Sequence, residues 1–150
     1  MQERFETFTV LINRISRDIR KIKNQEMADY HLRSAHVSCL YYVYSLGSVT
    51  SAELCEHCEE DKATISRAVD YLETNGFLLR DAGAKRYKSP LLLTEKGRDT
   101  GKRIAEKIDG VLETISHALT EEERIEFYRS LSTISRSLEA IVQNSEEKEL

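Results

Sequence analysis

The stretch DKATISRAVDYLETNG, Asp61 to Gly76, presents two faces of opposite chemistry. Ile65, with Ala68, Val69 and Leu72 at i+3, i+4 and i+7, forms an apolar helical stripe suited to a core. The other side carries Ala63, Thr64, Ser66, Arg67, Asp70 and Thr74, which are small or hydrogen-bonding groups broken by one arginine. Such a face can approach a partner closely, and an arginine fork matches the two major-groove acceptors of guanine. Asp61 is placed to cap the helix, and Gly76 stands where a left-handed closing residue is expected. The pattern predicts a DNA recognition helix.

Three further constellations could carry chemistry. Arg80, Lys85, Arg86 and Lys88, with Tyr87 among them, cluster within nine residues and suit phosphate contacts or a minor groove. Cys55-Glu-His-Cys58 has the C-x-x-C spacing of a zinc or redox motif, but no second cysteine pair completes a site. The expectation for both is therefore that of small hydrophobes on the buried side of a helix. His36 and Cys39 lie one helical turn apart and could share a ligand or a metal, or serve only in packing.

The elements that position these groups follow from periodicity. Phe5, Phe8, Ile12, Ile15, Ile19 and Ile22 alternate steps of three and four, a heptad seam that predicts a long first helix packed on another helix, of this chain or of a second subunit. Residues 24–34 lose the period and are expected to be a connection. A second helix is expected at 35–46, with Val37, Leu40, Val43 and Tyr44 inward and Gly47 at its end. After the extended link Ser48 to Thr50, Thr50 and Glu53 form a capping box that opens a short third helix with Leu54, Cys55 and Cys58 inward. Glu59 and Glu60 turn tightly into the 61–75 helix, which completes a helix-turn-helix. Phe77 to Arg80 and Pro90 to Leu93 read as the strands of a hairpin with a cationic tip. Thr94 caps a fifth helix carrying Ile104, Ile108, Leu112, Ile115 and Leu119. Thr120 and Glu123 box a sixth, with Ile125, Tyr128, Leu131, Ile134, Leu138 and Ile141 inward. Gly97 and Gly101 are expected to let the fifth helix approach its neighbours closely.

Composition narrows the function. The 150 residues, 40% hydrophobic and 32% charged with one Pro, fit one helix-rich domain. No apolar run approaches a membrane span, and the start MQERFETF lacks the regions of a signal peptide, so the expected compartment is the cytoplasm, with reduced thiols. The net charge of −4 is unevenly spread: residues 61–103 carry ten Lys or Arg against six Asp or Glu, and residues 104–150 carry five against eleven. A basic middle between acidic flanks suits a polyanion-binding module. No Gly-rich phosphate loop, nucleophile elbow or carboxylate–histidine metal set appears, so neither an enzyme nor a cofactor is expected.

The element order is that of a mostly α winged helix-turn-helix with a small β-hairpin wing and long N- and C-terminal dimerisation helices. SAELCEHCEEDKATISRAVDYLETNGFLLR followed by LLLTEKG resembles the multiple antibiotic resistance regulator (MarR) family of bacterial transcription factors. The resemblance implies one domain over 1–150, with a DNA-binding part at 35–93 and dimerisation helices at 1–34 and 94–150. It also implies a homodimeric, cytoplasmic repressor of a near-palindromic double-stranded operator, relieved by an effector. Carried over by residue, Thr64, Ser66 and Arg67 would lie near base edges or phosphates, with Lys62, Ala63 and Asp70 on the same face. Arg80, Lys85, Arg86 and Lys88 would supply the wing's contacts. Lys85 and Tyr87 stand where the family's wing usually has an aspartate and an arginine. Tyr30, His31, His36, Cys39 and Tyr41 fall near the cleft where such regulators often accept small phenolic or lipophilic effectors. A winged helix used only for protein interaction is the alternative, and so is a metal or redox sensor built on Cys55/Cys58 or His36/Cys39.

Overall fold

The apolar periods close into six α-helices and one small antiparallel sheet in a computed structural model that describes residues 5–58, 60–80, 83, 85 and 88–146. Helices α1 (Phe5–Glu26), α2 (Ser34–Leu46), α3 (Ser51–Cys58) and α4 (Lys62–Thr74) precede strands β1 (Leu78–Arg80) and β2 (Leu91–Leu93). Helices α5 (Glu95–Ser116) and α6 (Glu121–Glu146) follow. The chain divides into two compact units, Met1–Lys107 and Ile108–Leu150, with the boundary inside α5.

In the first unit α2 packs on α3 and α4, and Leu40, Val43, Leu54, Ile65, Val69 and Leu72 are fully enclosed. The expected caps are present. Thr50 Oγ1 accepts from the Glu53 N–H at 3.2 Å while Glu53 Oε2 accepts from the Thr50 N–H at 2.7 Å, which satisfies two otherwise orphaned donors at the start of α3. Gly76 closes α4 with φ 77°, a conformation costly for any residue with a Cβ. In the hairpin, Leu78 pairs with Leu93 and Arg80 with Leu91, and Val49 adds an isolated bridge to Leu91.

Thr94 joins three elements. Its hydroxyl accepts from the Gly97 N–H at 2.9 Å, capping α5, and donates to the Gly76 carbonyl at 2.6 Å. The close approach expected of the α5 glycines is found: a Cβ at Gly97 would lie 1.9 Å from the Phe77 carbonyl oxygen, and one at Gly101 2.8 Å from Tyr44 Cβ.

Three expectations need correction. Residues 24–34 are not a bare connection. α1 runs on to Glu26, a 3-10 turn spans Ala28–Tyr30, and Met27 and Leu32 are buried, so two large apolar side chains anchor a stretch without helical period. Cys55 and Cys58 are only half-buried, whereas Cys39 is the enclosed thiol, because the short α3 turns mainly Leu54 toward the core. In the second unit the capping box of α6 is formed, with the Glu123 N–H on Thr120 Oγ1 at 3.2 Å, yet α6 buries no residue. Ile125, Tyr128, Ile134, Leu138 and Ile141, expected inward, are exposed, as are Leu112 and Ile115 of α5, because nothing within that unit covers them. The α1 seam, expected against another helix or a second subunit, leaves Ile12, Ile15, Ile19 and Ile22 exposed in the single chain, as that expectation allows. Among the described residues no helix is long and apolar enough to cross a membrane.

Candidate nucleic-acid interface

Helix α4 is held by its apolar stripe: Ile65, Ala68, Val69 and Leu72 are all buried. Its N-terminus is fixed by Asp61, whose carboxylate accepts from the Thr64 N–H at 2.7 Å. That bond, helped by the Thr64 hydroxyl and the Arg67 charge, holds the Asp61 carboxyl below its usual range, so the cap is ionised at neutral pH and favours the positive end of the helix. The outward face presents Lys62, Ala63, Ser66 and Arg67, all exposed, beside the half-exposed Thr64. Arg67 Nη2 donates to Thr64 Oγ1 at 3.3 Å, which lays the guanidinium along the helix surface one turn from the N-terminus.

Two residues grouped with this face have other engagements. Arg80, expected at a phosphate, has a side chain only 15% exposed; its Nε donates to Glu73 Oε1 at 2.5 Å and its Nη2 lies 3.8 Å from Asp70 Oδ1. Both carboxylates are on α4, so Arg80 locks the root of the hairpin to that helix, and Asp70 turns its charge toward the lock. Lys85 and Lys88 are exposed and share a turn in which the Lys88 N–H donates to the Lys85 carbonyl at 2.9 Å. Arg86 and Tyr87, like the Glu59 of the expected turn before α4, lie outside the described residues.

Of the five residues expected around an effector cleft, His31 and His36 meet at Tyr71, while Tyr30, Cys39 and Tyr41 have other neighbours. Tyr30 lines an open cleft of about 480 Å³ with Glu95, Lys96, Asp99, Thr100 and Arg103. The Arg103 guanidinium donates to the Tyr30 hydroxyl. His31 takes a left-handed backbone, φ 57°, and its carbonyl accepts from the Tyr71 hydroxyl at 2.7 Å. His36 stacks on Tyr71 with ring centroids 4.2 Å apart, and its Nδ1 accepts from the Arg33 N–H. Burial, and then the Arg33 charge, push the His36 imidazole below its ordinary value. Tyr41 meets Tyr42 edge to face. Cys39 is fully enclosed, whereas His36 is half-buried and stacked on Tyr71. Among the described residues no group of three or more His, Cys, Asp or Glu is arranged to hold a metal.

Tyr71 and Glu73 are the positioning residues that sequence reading missed. Both lie on α4 beside the apolar stripe, but their partners are distant: His31 is 40 residues away from Tyr71, and no local spacing announces the bond. A tyrosine flanking a stripe of aliphatic residues was the available signal.

A helix-turn-helix whose second helix offers a polar outward face, followed by a two-stranded hairpin, defines a winged-helix protein. Residues 32–86 match the MarR family model. The chain is similar to the uncharacterized HTH-type transcriptional regulator YwoH of Bacillus subtilis (strain 168), 28% identical over 85 residues covering 57% of this chain, and the match spans 62% of that relative. A MarR family regulator from Neisseria meningitidis has the same fold, with a TM-score of 0.80 at 19% identity over 93% of this chain and 96% of that one. So has MepR of S. aureus in complex with DNA, with a TM-score of 0.78 at 19% identity over 87% of this chain and 97% of that one. The family model thus matches residues 32–86, and the fold over most of the chain is that of these regulators.

Proposed function

We propose that this protein is a homodimeric, sequence-specific double-stranded DNA-binding repressor acting in the cytoplasm, in which α4 enters the major groove and the Lys85–Lys88 turn meets adjacent phosphates. The observation that carries the reading is the outward face of α4: small side chains and cations, exposed together, on a helix capped at one end and clamped through Arg80 at the other. A protein-interaction module has no need of that face. MepR, which shares the fold, is held in a complex with DNA. The exposed apolar stripes of α1 and α6 fit helices of a second copy, and a two-fold dimer would address half-sites about one helical turn apart. A small molecule in the Tyr30 cleft would act through Lys96, whose ammonium also donates to the Asn75 carbonyl at the end of α4.

A filter-binding titration on mixed genomic DNA tests the reading. The expected result is affinity that falls steeply as salt rises, from release of the counterions that the Lys and Arg contacts displace. Affinity that is flat between low and moderate salt counts against it, and a monomeric mass at micromolar concentration removes the dimer.

A further inference from the structure

The turn between α1 and α2 is gripped from both sides. On one side is α5: Lys107 Nζ donates to Glu26 Oε2 at 2.5 Å, and one helical turn earlier the Arg103 guanidinium donates to the Tyr30 hydroxyl. On the other side is α4, whose Tyr71 hydroxyl donates to the His31 carbonyl at 2.7 Å. Between these grips the turn is a stiff block. Met27 and Leu32 are each 1% exposed, and the Tyr30, His31 and Leu32 N–H groups donate to the Met27, Ala28 and Met27 carbonyls at 3.1, 2.9 and 3.2 Å. His31 stands at φ 57°, a left-handed setting that a residue with a Cβ keeps only where its surroundings hold it. Tyr30 and His31 are consecutive, so the two grips act on neighbouring Cα atoms about 3.8 Å apart.

We propose that Arg103 of α5 is a positioning residue for DNA binding, which through Tyr30 and the His31 carbonyl sets the rotation of α4 about its axis and so the aim of Arg67. Tyr71 receives the position of the block with little slack. Its ring is stacked on His36 of α2, with 4.2 Å between centroids and 16° between planes, which fixes the direction of the hydroxyl. Its own carbonyl accepts from Asn75 Nδ2 at 2.8 Å, so the side chain is tied to a braced stretch of helix. The hydroxyl stands off the axis of α4, and a displacement there turns the helix. Arg67 lies four residues before Tyr71, one turn along the same side, and turns with it. Loosening the Arg103 grip lets His31 leave its left-handed setting, and Tyr71 then loses a fixed acceptor. The effect on DNA rests on the function proposed above; the turning of α4 does not.

Arg103→Met, which keeps the length of the side chain and removes the donor, is compared in the full-length protein with Lys102→Met, which removes the same charge from the exposed neighbour. Without DNA, the Ser66, Arg67 and Asp70 amide signals in nitrogen–proton correlation spectra should move in Arg103→Met and stay in place in Lys102→Met. They should return in Arg103→Lys, whose ammonium can again donate to Tyr30. Tyr71→Phe keeps the stack and lacks the hydroxyl, so in that background Arg103→Met should no longer move them. Unmoved amides in Arg103→Met, or movement that persists beside Tyr71→Phe, overturns the coupling. On a duplex selected by the wild type from a random-sequence library, Arg103→Met and Tyr71→Phe should each weaken binding about threefold to tenfold, the span of one hydrogen bond, and the double variant no more than either alone. The salt dependence of affinity should keep its slope in Arg103→Met, whereas loss of a direct phosphate contact lowers that slope by about one. Additive losses or a lowered slope overturn the positioning role. Failure of the wild type to select any duplex while the amides still move overturns the DNA reading and leaves the coupling standing.

Discussion

The stripes of α4 and α6 are written in the same periodicity and meet opposite fates. Ile65, Val69 and Leu72 are wholly enclosed, whereas Ile125, Leu138 and Ile141 are 51%, 45% and 61% exposed. Apolar spacing names the face of a helix that seeks cover; it does not say whether the cover comes from the same chain. α4 finds α2 and α3 within its own unit. The α6 stripe is left for a partner, and in the function proposed here that partner is a second copy.

The comparison is tested most strongly by truncating one residue of each stripe. Leu72→Ala should cost about 2–5 kcal/mol, since it empties a fully enclosed site, and urea unfolding should show that loss at every protein concentration. Leu138→Ala should show its effect as weaker self-association in sedimentation equilibrium. An equal, concentration-independent loss in both would break the contrast.

The glycines of α5 supply a second contrast within one helix. Gly97→Ala should destabilise by about 1–3 kcal/mol, because the new Cβ meets a backbone carbonyl that cannot yield cheaply. Gly110 faces open space, so Gly110→Ala should stabilise by about 0.5–1 kcal/mol through helix propensity. Thermal melts decide both, and a stabilising Gly97→Ala would contradict the packing described.

On the polar side, Arg67→Ala should weaken specific DNA binding by about 1–3 kcal/mol without changing the unfolding midpoint. Arg80→Ala should instead lower the midpoint, its guanidinium being committed to Glu73 and Asp70. Titrations and melts that exchanged these outcomes would reverse the two assignments.

The smallest effect concerns His36. Its folded value lies below the ordinary 6.5, because burial and then the Arg33 charge favour the neutral ring. The unfolded chain then binds more protons between the two values. The contribution is complete above pH 6.5 and is lost as pH falls toward the lower, folded value. Urea midpoints should therefore fall from pH 7 to pH 5 less steeply in His36→Phe than in the wild type, and equal slopes would remove His36 from the account.

How much of this was legible depended on range. The α4 stripe, the Asp61 cap, both Thr–Glu capping boxes and the closing Gly76 rest on contacts within a few residues, where spacing along the chain is spacing in space. The place of Gly97 could be anticipated as a close approach, though not the carbonyl it meets. Met27 and Leu32 were passed over because a stretch without period gives no sign of which apolar side chains turn inward. The commitment of Arg80 to α4 depends on how elements pack, so a cation that reads as a phosphate contact becomes a clamp. The C-x-x-C spacing drew attention to Cys55 and Cys58, while the enclosed thiol, Cys39, stands on another helix.

Thr94 gives α4 unequal ends. At its C-terminal end, Gly76 is bonded to the Thr94 hydroxyl, and Lys96 both reaches the Asn75 carbonyl and lies 4.2 Å from the centre of the Phe77 ring. At its N-terminal end, α3 stops at Cys58, three residues before the Asp61 cap. A rod fastened at one end and moved at the other swings rather than slides. Thirteen residues make α4 a lever about 20 Å long, so any displacement of about 1.5 Å at Asp61 would swing it by roughly 4°. In a two-fold dimer the partner's helix would swing by the same angle in the opposite sense, so the two reading heads would lose parallelism before they lost their spacing.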